Sequence, residues 1–312
     1  MADVSGRGWR FVTRSRPARR VLSHTTPVIR SYFTHADNAA NARTDTEGHE
    51  LDEVVEAIGA IIDWSIGASS RLGYFAALYK RITIAVRTAL EQGAFEDGPR
   101  MQRLDVTFAS RYFDALNGYF HPGKYPKPTR SWKVTFDAAT RPEPIIVQHM
   151  LAGVNVHIAL DLGIAAQTVA PGAQLPKLKE DFNRINAVLA SQVYGIVSDI
   201  NELSPALADL YAVLMDNEIF LINETVATFR DSAWRFAAIL ALQPGFTRPF
   251  TIWARDRQVA GQAELVYDPP GLVGLIASIV RPIAARENRD IVHNIQVLDR
   301  IASTPAPIAT TI

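Results

Sequence analysis

The chain has 312 residues, of which 48% are hydrophobic and 21% charged, and its 32 basic residues equal its 32 acidic ones. These proportions exclude a disordered or fibrous chain, and the balanced charge gives no pull toward nucleic acid or an anionic membrane, so no nucleic-acid partner is expected. The absence of cysteine excludes disulfides, thiolate metal ligands and a cysteine nucleophile.

Residues 1–48 read as a basic, flexible arm. Arg7, Arg10, Arg14, Arg16, Arg19, Arg20 and Arg30 accumulate there against the early acid Asp3. This composition is also that of an organelle presequence, although Pro17 and Pro27 interrupt any amphipathic helix. A cytoplasmic location is the default expectation, with organelle targeting by the arginine-rich segment left open.

From Leu51 the apolar spacing turns helical, with Leu51, Val54, Val55, Ile58, Ile61 and Ile62 recurring at three and four residues. Tyr74, Leu78, Ile82, Val86 and Leu90 predict a second helix that stops at Gly93. A third covers Met101 to Phe120, after a turn at Asp97, Gly98 and Pro99. The proline-rich stretch from His121 to Pro144 is expected to be one long loop with a short helix at Trp132 to Ala139, and loops of that length often act as lids. Ile145 to Thr168 is the most apolar helix. It is followed by an amphipathic helix from Leu178 to Leu203. Ala206 to Leu242 predicts two helices or one long one, and Phe250 to Ala302 two or three shorter ones.

No stretch keeps a period of two, so the expected fold is all-α, a single globular bundle of roughly 8 to 10 helices over residues 49–302, with a polar tail at 303–312. No uncharged apolar run reaches the roughly 18 to 20 residues of a membrane-spanning helix. The nearest, Met150 to Ala170, is interrupted by His157 and Asp161, and no transmembrane segment is expected.

Wound at 100° per residue, Ile145 to Thr168 is apolar on every side and belongs at the centre of the bundle. His157 and Asp161 share one face of it, four residues apart. His149 lies about 12 Å along the axis from His157, too far to share one ion easily. Buried ionisable groups need partners, which leaves three readings: a metal site on His157 and Asp161, metal-free acid–base chemistry, or a structural polar network. Candidate partners are Glu224, in an apolar segment, with a solvated side chain as its competing reading, together with Asp105, Arg111, Tyr112, Arg230 and Asp231, for each of which a surface salt bridge is the competing reading. Asn155 faces away from His157, which suggests packing or backbone capping. No phosphate loop, nucleophile elbow or His-Glu-x-x-His helix occurs, so no nucleotide cofactor is expected, whereas a divalent metal ion stays open.

The run Leu104-Asp105-Val106 with Phe108, Arg111 and Tyr112, then Trp132 with Phe136, and above all Gln148-His149-Met150-Leu151 through Asn155-Val156-His157-Ile158 to Asp161-Leu162-Gly163-Ile164-Ala165, resembles domain-of-unknown-function family 5995 from about Leu72 to Leu242. That resemblance implies a helical domain whose signature includes His149, Asn155, His157 and Asp161, and implies no activity. More distantly, the His-x-x-x-Asp helix is similar to the metal helices of the zinc-dependent phospholipase C and P1 nuclease class, which would imply several further His and Asp ligands. The expected function is that of an enzyme, of hydrolase, lyase or cyclase type, using His157 and Asp161 with His149 nearby on a small, largely apolar molecule. The alternative is a ligand-binding or scaffold protein in which these residues form a satisfied polar network.

Overall fold

The computed structural model describes residue 29 and residues 49–205, 218–268 and 273–303. Among these the chain forms eleven α-helices and no strand. They are α1 (His49–Gly67), α2 (Leu72–Glu91), α3 (Gly98–Phe120), α4 (Arg130–Ala138), α5 (Ile146–Val156), α6 (Gly163–Val169), α7 (Leu175–Leu203), α8 (Glu218–Leu242), α9 (Arg248–Tyr267), α10 (Val273–Arg286) and α11 (Ile291–Ala302). Between α5 and α6 the helix continues without a break as a π segment, His157–Leu162. The all-α bundle is therefore as the apolar spacing predicts, and the short helix inside the proline-rich stretch is α4.

The continuous element Ile146–Val169 is long and apolar enough to cross a membrane by composition, but most of it is buried inside the bundle. Around it, α2 packs on α5, α6 on α8, and α9 on both α5 and α4. A glycine allows this crowding where α6 meets α8. A Cβ at Gly163 would stand 2.7 Å from Phe236 Cδ1 and 2.8 Å from the Ala233 carbonyl, so α8 could not lie as close to any larger residue. Gly163→Ala is expected to cost about 1 to 3 kcal/mol by overpacking. An unchanged urea midpoint would refute that close approach.

Three buried carboxylates bind the N-terminal ends of segments far from their own. Asp181 on α7 accepts the Glu96 and Asp97 amides at 2.7 and 3.0 Å, just ahead of α3. Asp256 on α9 accepts the Arg130 and Ser131 amides at the start of α4, at 2.8 and 2.9 Å. Glu287, just after α10, accepts the Ile146 amide at the start of α5, its two oxygens at 3.0 and 3.2 Å. Free amides at helix starts need such acceptors, and negative charge is favoured there.

Of the expected arm at 1–48, Ile29 alone is described. It is buried, and the Asn117 side chain accepts its amide at 2.9 Å and donates to its carbonyl at 2.6 Å. The remainder of the arm, and the tail beyond residue 303, lie outside the described residues.

Candidate functional site

The π segment begins at His157 and contains Asp161. Its wider turn, closed by i→i+5 bonds, differs from the regular helix that the sequence spacing predicts, and such turns recur at functional positions. It sets His157 over Asp161, with Nδ1 3.2 Å from Oδ2. A carboxylate can only accept, so Nδ1 carries the hydrogen and the neutral ring keeps Nε2 as its acceptor. From α9, Arg255 donates Nε to the Ala159 carbonyl at 3.0 Å, and Val259 accepts the Asn155 side-chain amide at 3.3 Å. Asn155 thus ties the central helix to the backbone of α9 at mid-helix, and no hydrogen bond joins its side chain to the His157–Asp161 pair among the described residues.

Asp161, at 0% exposure, draws its other partners from two further helices. Arg111 of α3 donates Nε to Oδ1 at 2.7 Å, and Trp132 of α4 donates Nε1 to Oδ2 at 2.8 Å. Burial alone would raise the carboxyl pKa. The Arg111 charge and the N–H bonds from His157 and Trp132 outweigh it, and the group is held below its ordinary value. For His157 burial is the largest influence and lowers its pKa, against the opposing pull of Asp161. The ring is therefore neutral at neutral pH. Phe108 lies parallel to it with centroids 3.6 Å apart, and Tyr79 and Tyr112 approach at 4.7 and 6.0 Å.

His157 borders a cavity of about 200 Å³ lined by α2, α3, α5, the π segment, α7 and α8. Its wall is mostly aliphatic and aromatic. The titratable side chains among the described residues of that wall are Tyr79, Asp105, His157 and Arg230. Asp105 Oδ2 and His157 Nε2 have no hydrogen-bond partner among the described residues. Burial pushes the Asp105 carboxyl up to about 7, so it carries its proton through much of the neutral range. Asp105 stands on this wall, not in the surface salt bridge that the sequence offers as its competing reading, among the described residues. The signal was present, because Met101, Leu104, Phe108 and Tyr112 place position 105 on the apolar stripe of α3. Trp132 as a donor to Asp161 was missed, and no local spacing announces it.

His149 stands apart. It borders a separate space of about 10 Å³, with Arg71, Trp132 and Tyr267, and its Nδ1 is 3.5 Å from the Tyr267 hydroxyl. Burial, then the charges of Arg71 and Arg141, lower it to about 3. Tyr112 also lines this smaller space. None of residues 121–144 lines the larger cavity. The lid expected there is instead a buttress, because α4 turns Trp132 inward to Asp161 and its capping by Asp256 fixes it in place. Glu224 lies on α8, and its side chain is outside the described residues.

A divalent ion does not fit these donors. Both Asp161 oxygens are taken by N–H groups, one of them cationic, and no group of three His, Asp or Glu residues gathers among the described residues.

An all-helical bundle with a buried His–Asp–Arg–Trp network on a π-turned central helix is the class that fold and geometry define. The chain belongs to DUF5995, a family of unknown function, whose model matches residues 51–269. No curated protein and no solved structure matches it.

Proposed function

We propose that the protein is an enzyme that moves protons on a small, largely apolar molecule held in the 200 Å³ cavity. The observation that carries this reading is that one apolar wall presents an imidazole backed by a carboxylate and, separately, an Asp105 carboxyl that burial raises to about 7. Two titratable groups whose environments push them into opposite protonation states are the usual makings of an acid–base pair. His157 Nε2 accepts a proton from the substrate, and Asp161 with Arg111 behind it stabilises the imidazolium that forms. Asp105 donates its proton to a carbonyl or leaving oxygen. Hydrolase, lyase or cyclase chemistry all use this pair of steps. This reading invokes no metal, because the described donors around Asp161 do not fit an ion.

The test is incubation of the full chain in D2O with a panel of small apolar esters, ketones and alkenes, read by mass spectrometry. Product formation or solvent deuterium uptake is expected, reduced about 10²- to 10⁴-fold in His157→Gln and in Asp105→Asn. The rate should rise as His157 loses its proton, below the ordinary histidine range, and fall above about pH 7 as Asp105 ionises. Undiminished turnover in His157→Gln would move the chemistry elsewhere.

A second reading is supported by the saturation of Asp161, whose oxygens are satisfied by three donors and which needs no substrate to complete it. On that reading the protein binds an apolar ligand without transforming it. Tight binding with no conversion anywhere in the panel would favour it.

A further inference from the structure

We infer that the cavity ligand ends in a carboxylate, and that Arg230 is the residue that holds it. This inference rests on the cavity being a ligand site, as proposed above. Arg230 on α8 lines the cavity and is 5% exposed. Its Nε donates to Asn186 Oδ1 at 2.6 Å, a terminal nitrogen donates to the Phe182 carbonyl at 2.5 Å, and the guanidinium lies 4.4 Å from the Phe182 ring centroid. Every one of these partners is neutral. No carboxylate forms an ion pair with Arg230 among the described residues, and Asp231 acts on it only through space. Burial lowers the guanidinium to about 9, which leaves it charged at neutral pH.

A buried cation without a counter-ion costs several kcal/mol, whereas a guanidinium has five N–H donors and pairs with carboxylates through two parallel bonds. Two donors are already used, and the remaining ones can meet a bidentate anion. The other acid on the wall, Asp105, forms no ion pair with Arg230 among the described residues and is protonated below about pH 7, so it does not supply that charge there. The remaining wall is apolar, which a highly charged or polyhydroxylated ligand would not tolerate. An apolar cavity of about 150 Å³ accepts benzene, so 200 Å³ suits a ring with a short acid side chain or a medium-length alkanoate.

The experiment is isothermal titration of the full chain at pH 6.0, below the Asp105 value, with octanoate and, separately, with octan-1-ol. Octanoate is expected to bind at least tenfold more tightly. Arg230→Gln, which keeps a donor for the Phe182 carbonyl, should abolish the difference, and Arg230→Lys should preserve part of it. Equal affinity of the wild type for acid and alcohol would overturn the carboxylate inference while leaving the cavity as a ligand site. Binding of neither would remove both. The wild-type comparison stands even if a substitution at Arg230 disturbs the bundle.

Discussion

Replacing Asp161 with alanine is expected to lower the unfolding free energy by about 3 to 5 kcal/mol, the cost of removing one partner from a buried charge network. The carboxylate accepts from Arg111, Trp132 and His157, and its loss leaves three N–H groups without an acceptor. Asp161→Asn should cost less, because its carbonyl still serves one side while its amide faces a donor on the other. The stabilisation also depends on pH in a defined sense. The folded carboxyl titrates below its ordinary value of 3.8, so the contribution is present above that value and is lost as pH falls through the folded pKa. Urea denaturation of Asp161→Ala, His157→Gln and the double variant measures both size and coupling. Contacting residues normally couple by about 0.5 to 3 kcal/mol, and strictly additive losses would contradict the shared network.

Asp105→Asn should act in the opposite direction. In the folded protein the carboxyl keeps its proton up to about pH 7, whereas in the unfolded chain it releases it near 3.8. Folding therefore takes up a proton between those values, and stability declines as pH rises through that window. Above pH 7 the whole penalty is present, and an asparagine does not incur it. The variant is expected to be more stable than the wild type by about 2 to 4 kcal/mol at pH 8, with little difference at pH 4. Equal effects at both pH values, measured by chemical denaturation, would show that Asp105 does not titrate in this way. A residue that destabilises its own fold is the kind that function retains, so stabilisation together with lost turnover would join the two observations.

The helices were legible because most of them need only a local signal. The stop at Gly93, the Asp97-Gly98-Pro99 entry to α3 and the stripe Leu178 to Leu203 each sit close to the observed boundaries of α2, α3 and α7. The pairing of His157 with Asp161 was legible for the same reason, since four residues of helix bring them together. What the spacing could not reveal is the π turn. Winding at 100° per residue assumes a regular helix, and nothing in that assumption distinguishes the wider turn at His157–Leu162. The other partners of Asp161 arrive from 50 residues and 29 residues upstream. Such long-range bonds leave no periodic trace. His149 illustrates the opposite limit, because sharing a helix with His157 did not mean sharing a site. Phe75 borders both spaces, and one residue thus forms part of the wall of each.

The carboxylate at the start of α5 also sets an order of events during synthesis. Glu287 bonds the Ile146 amide across 141 residues of sequence. On the ribosome, the central helix therefore emerges long before the group that completes its first turn. Until α10 and the residue after it have been made, that end of the helix has water rather than a carboxylate for company. Contacts of such separation carry a large loop-closure cost and form late. The start of the innermost helix is thus secured only after α10 has been made, and the apolar faces around it stay open to chaperones, or to a ligand, until then.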